Sequence, residues 1–207
     1  MTNAESYIFG LLITDGSLYL STRNRGQVTL ELNKKDEDIV QKLYTIIPNS
    51  SIRQRTRNTN FKNNYTSVCF SNTRIEFRSR LIECGFPIKN KTLLANCPTE
   101  EYNEIFFWRG VIDGDGSLGF TSNGTPFLSL VTKSENLKIK YLDFLLRTLN
   151  ITKTSTRNKR DGVYNIMITN ENAKKLSEIL YLSDNEGLYL QRKYDLANSI
   201  QDWNKPN

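Results

Sequence analysis

Residues Phe107–Ser117, FWRGVIDGDGS, form an apolar run ending in a carboxylate between glycines, and the run occurs twice. Phe9–Ser17, FGLLITDGS, repeats it: Gly10 corresponds to Gly110, Asp15 to Asp115, and Gly16-Ser17 to Gly116-Ser117. The offset from residue 15 to residue 115 is 100 residues, close to half of the 207-residue chain. A repeat on that scale governs every other reading of the sequence.

The two copies filter each other. Asp113 aligns with Ile13, so only Asp15 and Asp115 are carboxylates in both copies. Gly110 and Gly114 align with Gly10 and Thr14, each pair spaced i, i+4 on one helix face. A strip of small residues lets two helix backbones approach closely. A core helix ending at a glycine accounts for the glycines. It leaves the aspartates unexplained, because a carboxylate in the last helical turn meets the negative end of the dipole. Two such carboxylates, brought together by helix packing, repel. A hard divalent cation between them makes the arrangement stable, so metal-dependent chemistry is the favoured reading. Other motifs fail on spacing. Asp113-Asp115-Ser117 begins like a calcium loop, but Leu118 and Gly124 stand where it needs glycine and glutamate. Gly114, Gly116 and Gly119 fit G-x-G-x-x-G, yet a strand-like run follows where dinucleotide binding needs a helix.

Composition narrows the chemistry. Lysine and arginine number 28 against 22 acidic residues, a net charge of +6 that suits a polyanionic partner. There is no histidine, which excludes Ser-His triads and histidine general bases and argues against zinc. Any hydrolysis must rest on carboxylates, lysines and metal. Cys69, Cys84 and Cys97 form no close pair, and MTNAESY resembles neither a signal nor a transit peptide. An intracellular, reducing location is expected.

The expected element order repeats as well. Thr2-Asn3-Ala4-Glu5 is a capping box that opens the first motif helix. Strand-like runs at Leu18–Thr22 and Val28–Leu32 flank Asn24-Arg25-Gly26, and Asp36 is expected to cap a helix carrying Ile39, Val40, Leu43, Ile46 and Ile47. A second hairpin follows, Ile52–Arg57 and Tyr65–Ser71 around a polar turn at 58–64. Thr73–Glu76 reads as another capping box, for a helix that stops near Gly85. Pro98-Thr99 is expected to launch the second motif helix, with Glu100 and Glu101 in its first turn. Hairpins at Leu118–Val131 and Ile151–Thr169 and helices from Ser134, over Ala173–Leu182 and through Tyr189–Ile200 complete the second half. The chain divides into 1–97 and 98–207, joined around Ala95–Pro98, each half reading α-β-β-α-β-β-α.

Basic residues concentrate on the strands. Arg53, Arg55 and Arg57 alternate and share one strand face; Lys153 and Arg157 stand at equivalent places in the second half. Arg23, Arg25, Lys34, Lys35, Lys62, Lys133, Lys159 and Arg160 add to the patch. Two pseudo-symmetric sheets presenting such side chains suit a DNA major groove.

With these residues assembled, the sequence resembles a LAGLIDADG homing endonuclease of the single-chain, two-motif kind. FWRGVIDGDGS carries the resemblance most specifically, and the first copy departs at Ile13, where the family often has an acidic residue. CGFPIKNKT at Cys84–Thr92 and LYLQRKYD at Leu188–Asp195 also resemble family elements. The resemblance implies an α+β fold of two αββαββα halves meeting at the motif helices, with saddle-shaped antiparallel sheets astride DNA. It implies a monomer acting on a long, non-palindromic duplex and hydrolysing both strands with Mg²⁺, leaving 3′ overhangs. Asp15 and Asp115 would bind the metal, helped by the carbonyls of Thr14 and Gly114. Lys89 and Gln191 would be the supporting catalytic side chains, matched by position after the third helix, with Lys91 and Lys193 as their neighbours in that match. The alternative is a non-cleaving relative that binds DNA or RNA, such as an intron maturase. No splicing-type terminus is visible, so a free-standing, intron-encoded enzyme is expected rather than an intein.

Overall fold

The computed structural model describes residues 1–58 and 64–204; Lys62 and the middle of the 58–64 turn lie outside them. Two helices form the centre, α1 (Asn3–Asp15) and α5 (Glu104–Asp115). Their residues Ser6–Ile13 and Phe106–Asp113 are all buried, on every side. Apart from Ser6, Arg109 and Asp113 these residues are apolar or glycine all round, and a helix with no solvent face to offer belongs in the interior. Thr2 opens α1 through the expected capping box: Glu5 N donates to Thr2 Oγ1 at 3.1 Å and Thr2 N to Glu5 Oε2 at 2.7 Å.

Each central helix runs directly into a sheet. β1 (Gly16–Leu20), β2 (Gly26–Asn33), β3 (Ser50–Arg57) and β4 (Tyr65–Asn72) form an antiparallel sheet in the order β1-β2-β4-β3. β5 (Gly116–Phe120), β6 (Pro126–Thr132) and β7 (Tyr164–Thr169) form a second antiparallel sheet in that order. The registers match across the repeat, Gly16 opposite Leu30 and Gly116 opposite Leu130. Around the first sheet lie α2 (Glu37–Ile46), α3 (Ile75–Glu83) and the single turn α4 (Lys91–Leu94). Around the second lie α6 (Glu135–Leu149), α7 (Asn170–Tyr181) and α8 (Gln191–Gln201). The fold is α+β with two pseudo-symmetric halves meeting at α1 and α5. No helix among the described residues is long and apolar enough to cross a membrane.

The halves meet backbone to backbone. A Cβ placed on Gly10 would lie 2.2 Å from the carbonyl oxygen of Phe107, and one on Gly110 would lie 2.3 Å from that of Tyr7. The expected small-residue strip is therefore the contact surface itself. Phe9, Phe86, Phe107, Trp108, Tyr141 and Phe144 pack edge-on or offset around it.

Four local expectations give way to tertiary contacts. Residues 151–156 are not a strand, and the second sheet ends at β7. Ser155 Oγ donates to the Asn165 carbonyl at 3.1 Å and Asn158 N to that of Val163 at 2.8 Å, so the segment lies beside β7 without a ladder. α5 starts at Glu104 rather than at Pro98, with the Asn103 side chain accepting from Ile105 N and Phe106 N. The intervening residues are used as a brace instead: Arg80 grips Glu100, and Thr99 Oγ1 donates to the Glu83 carbonyl at 3.1 Å. Arg74 rather than Thr73 precedes α3, with no side-chain cap: Asn72 Oδ1 accepts from Arg74 N at 2.9 Å, and the Thr73 carbonyl accepts from Arg78. Asp36 caps nothing; it is buried and paired with Arg192 of α8 at 2.8 Å.

Candidate active site and nucleic-acid interface

Asp15 and Asp115 are the last residues of α1 and α5 and stand together at one end of the helix pair. A Cβ on Gly114 would lie 2.0 Å from Thr14 Oγ1 and 3.4 Å from Asp15 Oδ2, so the first carboxylate reaches across to the end of the second helix. Glycine at 114 is what leaves room for the Thr14 side chain against the second helix. Both aspartates are open to solvent on one side, yet the surrounding protein displaces water from their carboxyls. That burial raises the pKa of Asp15, opposed by Lys91 and Lys193. For Asp115, burial and then the Asp15 charge raise it to about 6. The repulsion expected from the repeat is present.

The ends of the two helices are held by lysines. Lys193 is buried, and its Nζ donates to the carbonyls of Ile112, Asp113 (2.9 Å) and Gly116 (2.8 Å). Lys91 Nζ donates to the carbonyls of Leu12 (3.3 Å) and Thr14. An ammonium has three donors, and the last turn of a helix has unpaired carbonyls at its negative pole, so each lysine satisfies its helix end in both respects. Burial lowers the pKa of both lysines, that of Lys193 to about 8, against the raising effect of nearby carboxylates.

Among the described residues, Lys89 and Gln191 make no hydrogen bond to the motif-helix ends. Lys89 is exposed in the loop before α4, and Gln191 Nε2 donates to Asp195 Oδ1 at 2.9 Å on its own helix. The side chains that reach the motif ends are Lys91 and Lys193, two residues further on in each half. The signal that separates them is the one that singled out the aspartates: of the two matched pairs, only Lys91 and Lys193 are the same residue type in both copies.

Asp113, which has no acidic counterpart in the first copy, belongs to the scaffold. It is buried and accepts hydrogen bonds from Tyr7 Oη (2.8 Å), Tyr181 Oη (2.8 Å) and Leu190 N (2.9 Å). Arg109, also buried, donates to the carbonyls of Leu180 and Leu188 and pairs with Asp184. Together they hold the segment leading into α8 and thereby seat Lys193. Nothing in the sequence pattern points to this role for Asp113, since its three donors come from distant parts of the chain.

The basic residues divide by their surroundings. Arg53, Arg55 and Arg57 lie exposed along β3, on the face of the first sheet turned away from the helices. Arg23 and Arg25 are exposed in the β1–β2 turn; Lys35, Lys133, Lys153 and Lys159 are exposed outside it. Lys34 is half-buried and paired with Glu37. Arg157 stacks on Tyr164, 5.0 Å from the ring centroid, and donates to the Lys133 carbonyl at 3.2 Å.

A family model described as a LAGLIDADG-like domain matches residues 103–181, from the cap of α5 to the end of α7. This chain carries a LAGLIDADG-like domain. LAGLIDADG structures resemble it over almost its whole length. The homing endonuclease I-WcaI, bound to its DNA recognition sequence, superposes with a TM-score of 0.65 at 14% identity, covering 94% of this chain and 85% of that one. The LAGLIDADG meganuclease I-AabMI, bound to uncleaved DNA, gives 0.54 at 12% identity, covering 97% and 92%. The N-terminal LAGLIDADG domain of DUF199/WhiA gives 0.55 at 13% identity, covering 92% and 86%. At such identities the likeness is one of fold. No curated protein matches this chain in sequence.

Proposed function

We propose that this protein is a site-specific, divalent-metal-dependent endonuclease of double-stranded DNA. The observation that carries the reading is the convergence of Asp15 and Asp115 at paired helix ends, each end anchored by its own lysine. A fold alone does not fix an activity, so the weight rests on the site. A pure binder has no use for two carboxylates held where they repel.

The donor set fits a hard cation. Among the described residues there is no cluster of three or more acidic, histidine or cysteine side chains. Two carboxylates with backbone carbonyls, water and substrate phosphate are the ligands Mg²⁺ accepts. Asp15 and Asp115 would hold it, with the Gly114 carbonyl; the Thr14 carbonyl would share its lone pairs with Lys91. When bound, the metal supplies water of lowered pKa and stabilises charge on the leaving oxygen. The chain's own residues do the rest. Lys91 and Lys193 fix the helix ends and place positive charge beside the scissile phosphate. Arg53, Arg55 and Arg57, with the other exposed cations, bind and register the duplex.

The division into 1–97 and 98–207 follows the repeat, one half to each side of the target. Because Gly10 and Gly110 already pack against each other within one chain, the dyad surface is occupied and a monomer results. Attack on both strands across the minor groove, giving 3′ overhangs, and an intron-encoded origin complete the proposal. The free, buried thiols of Cys69, Cys84 and Cys97 suit a reducing compartment. The test is cleavage of a plasmid bearing a selected target in Mg²⁺, Ca²⁺ and EDTA, beside a binding titration. Cleavage lost in EDTA supports the reading. Sequence-specific binding with no cleavage in any metal would turn it into the maturase-like alternative.

A further inference from the structure

The outer face of the first sheet contains one carboxylate among its arginines. Glu31 on β2 lies opposite Cys69 on β4, which lies opposite Arg53 on β3. Its Oε1 accepts from Ser67 Oγ at 2.6 Å and pairs with an Arg57 guanidinium nitrogen at 3.0 Å. Its Oε2 lies 3.7 Å from an Arg55 guanidinium nitrogen. Ser67 is itself buried, so the carboxylate is held from below while the two guanidiniums remain about half exposed above it. The residue 100 positions on, Val131, is exposed and neutral, opposite Asn165 of β7. The second sheet therefore has no counterpart to this acid.

A negative charge on a surface that binds a polyanion weakens that binding, so affinity does not account for Glu31. What it does for the arginines does. An arginine side chain loses much rotational freedom when it is fixed, and a partner that fixes it beforehand removes that loss from the binding step. A guanidinium has five N–H donors in a planar fork. Each arginine approaches Glu31 through one guanidinium nitrogen, which leaves donors for two acceptors, the arrangement presented by guanine O6 and N7 in the major groove. We propose that Glu31 is a specificity-determining positioning residue that orients Arg55 and Arg57 to read guanine in the first half of the target. The inference rests on the proposed DNA-binding function and concerns only its first half-site.

The test compares full-length wild type with Glu31→Gln and Glu31→Ala, each selecting from a pool of randomised duplexes in Ca²⁺, with thermal melts run in parallel. Arg55→Ala and Arg57→Ala identify the base pairs that these arginines read. In wild type those pairs should be enriched in guanine. Both Glu31 variants should bind unselected duplex more tightly than wild type and lose about tenfold or more of that guanine preference. Preferences at the pairs read by the second sheet should not change. A merely structural role would move both half-sites and the melting temperature together. An unchanged guanine preference, or one lost equally in both halves, overturns the inference. So does a loss confined to one pair with cytosine on the contacted strand, which would make Glu31 itself the reader. If wild type enriches no sequence, the DNA-binding function fails and the inference falls with it.

Discussion

Asp15→Asn and Asp115→Asn are each expected to abolish double-strand cleavage while leaving DNA affinity nearly intact. Asparagine keeps the shape and removes the charge on which metal binding depends. Plasmid cleavage in Mg²⁺ beside a binding titration in Ca²⁺ checks this, and cleavage surviving either change would sink the mechanism. Asp115 also predicts a pH dependence. Its folded pKa, about 6, lies above the ordinary 3.8, so the folded protein keeps a proton that the unfolded chain gives up within that window. Stability of the metal-free protein should therefore fall as pH rises from 3.8 towards 6, by about 1 kcal/mol at most, since the carboxyl is partly solvated. Asp115→Asn should flatten that part of the melting-temperature profile in EDTA and hold or raise stability at neutral pH. The lysines give a sharper contrast. Lys193→Met leaves three helix-end carbonyls without their donor and should cost about 1–3 kcal/mol as well as slow cleavage. Lys91→Met should slow cleavage with a smaller loss of stability. Lys89→Ala and Gln191→Ala should do neither, and a slow Lys89→Ala enzyme with a normal Lys91→Met would reverse the assignment.

The pairing of α1 with α5 is set by two glycines rather than by side-chain complementarity. Gly10→Ala or Gly110→Ala puts a methyl carbon 2.2–2.3 Å from a carbonyl oxygen of the facing helix, so the helices must separate. Each change should destabilise by about 1–3 kcal/mol and reduce cleavage more than DNA binding, because separation moves Asp15 away from Asp115. Denaturation and single-turnover cleavage measure the two effects. This pairing was legible in the sequence because repetition marks which small residues share a face. The capping box at Thr2 and the strand pairs of the first half were legible from local chemistry. Residues 151–156 were not: their alternation matches a strand, but strand pairing depends on a partner ladder that local pattern does not encode. The start of α5 failed similarly, since Glu100 finds Arg80 from another element and stays out of the helix. The lysines at the motif ends were within reach, because Lys91 and Lys193 share a residue type across the repeat and Lys89 and Gln191 do not.

At the scale of the whole molecule the basic surface predicts steep salt dependence of DNA binding. Arg55→Ala should lower the slope of log affinity against log salt if it contacts phosphate, by about one unit. If it reads a base, it should cost about 1–3 kcal/mol at one position and relax specificity there. Filter or fluorescence titrations over a range of salt separate the two, and no effect of either kind would remove β3 from the interface. Sedimentation with and without duplex should show one protein per target, whereas a stable dimer on a perfect palindrome would contradict the single-chain arrangement. The buried hydrogen bond from Tyr7 to Asp113 bears on how such a chain is able to change over generations. In a symmetric pair of second halves, Phe107 would stand where Tyr7 stands, and the Asp113 carboxylate would lose a donor in the interior, at about 1–3 kcal/mol for each copy. The first half is tied in the same way: it carries Ile13 at that place, so in a symmetric pair of first halves the buried Tyr7 hydroxyl would lose its acceptor. One bond thus makes each half the other's required partner, and neither can pair with a copy of itself without leaving a polar group stranded in the interior.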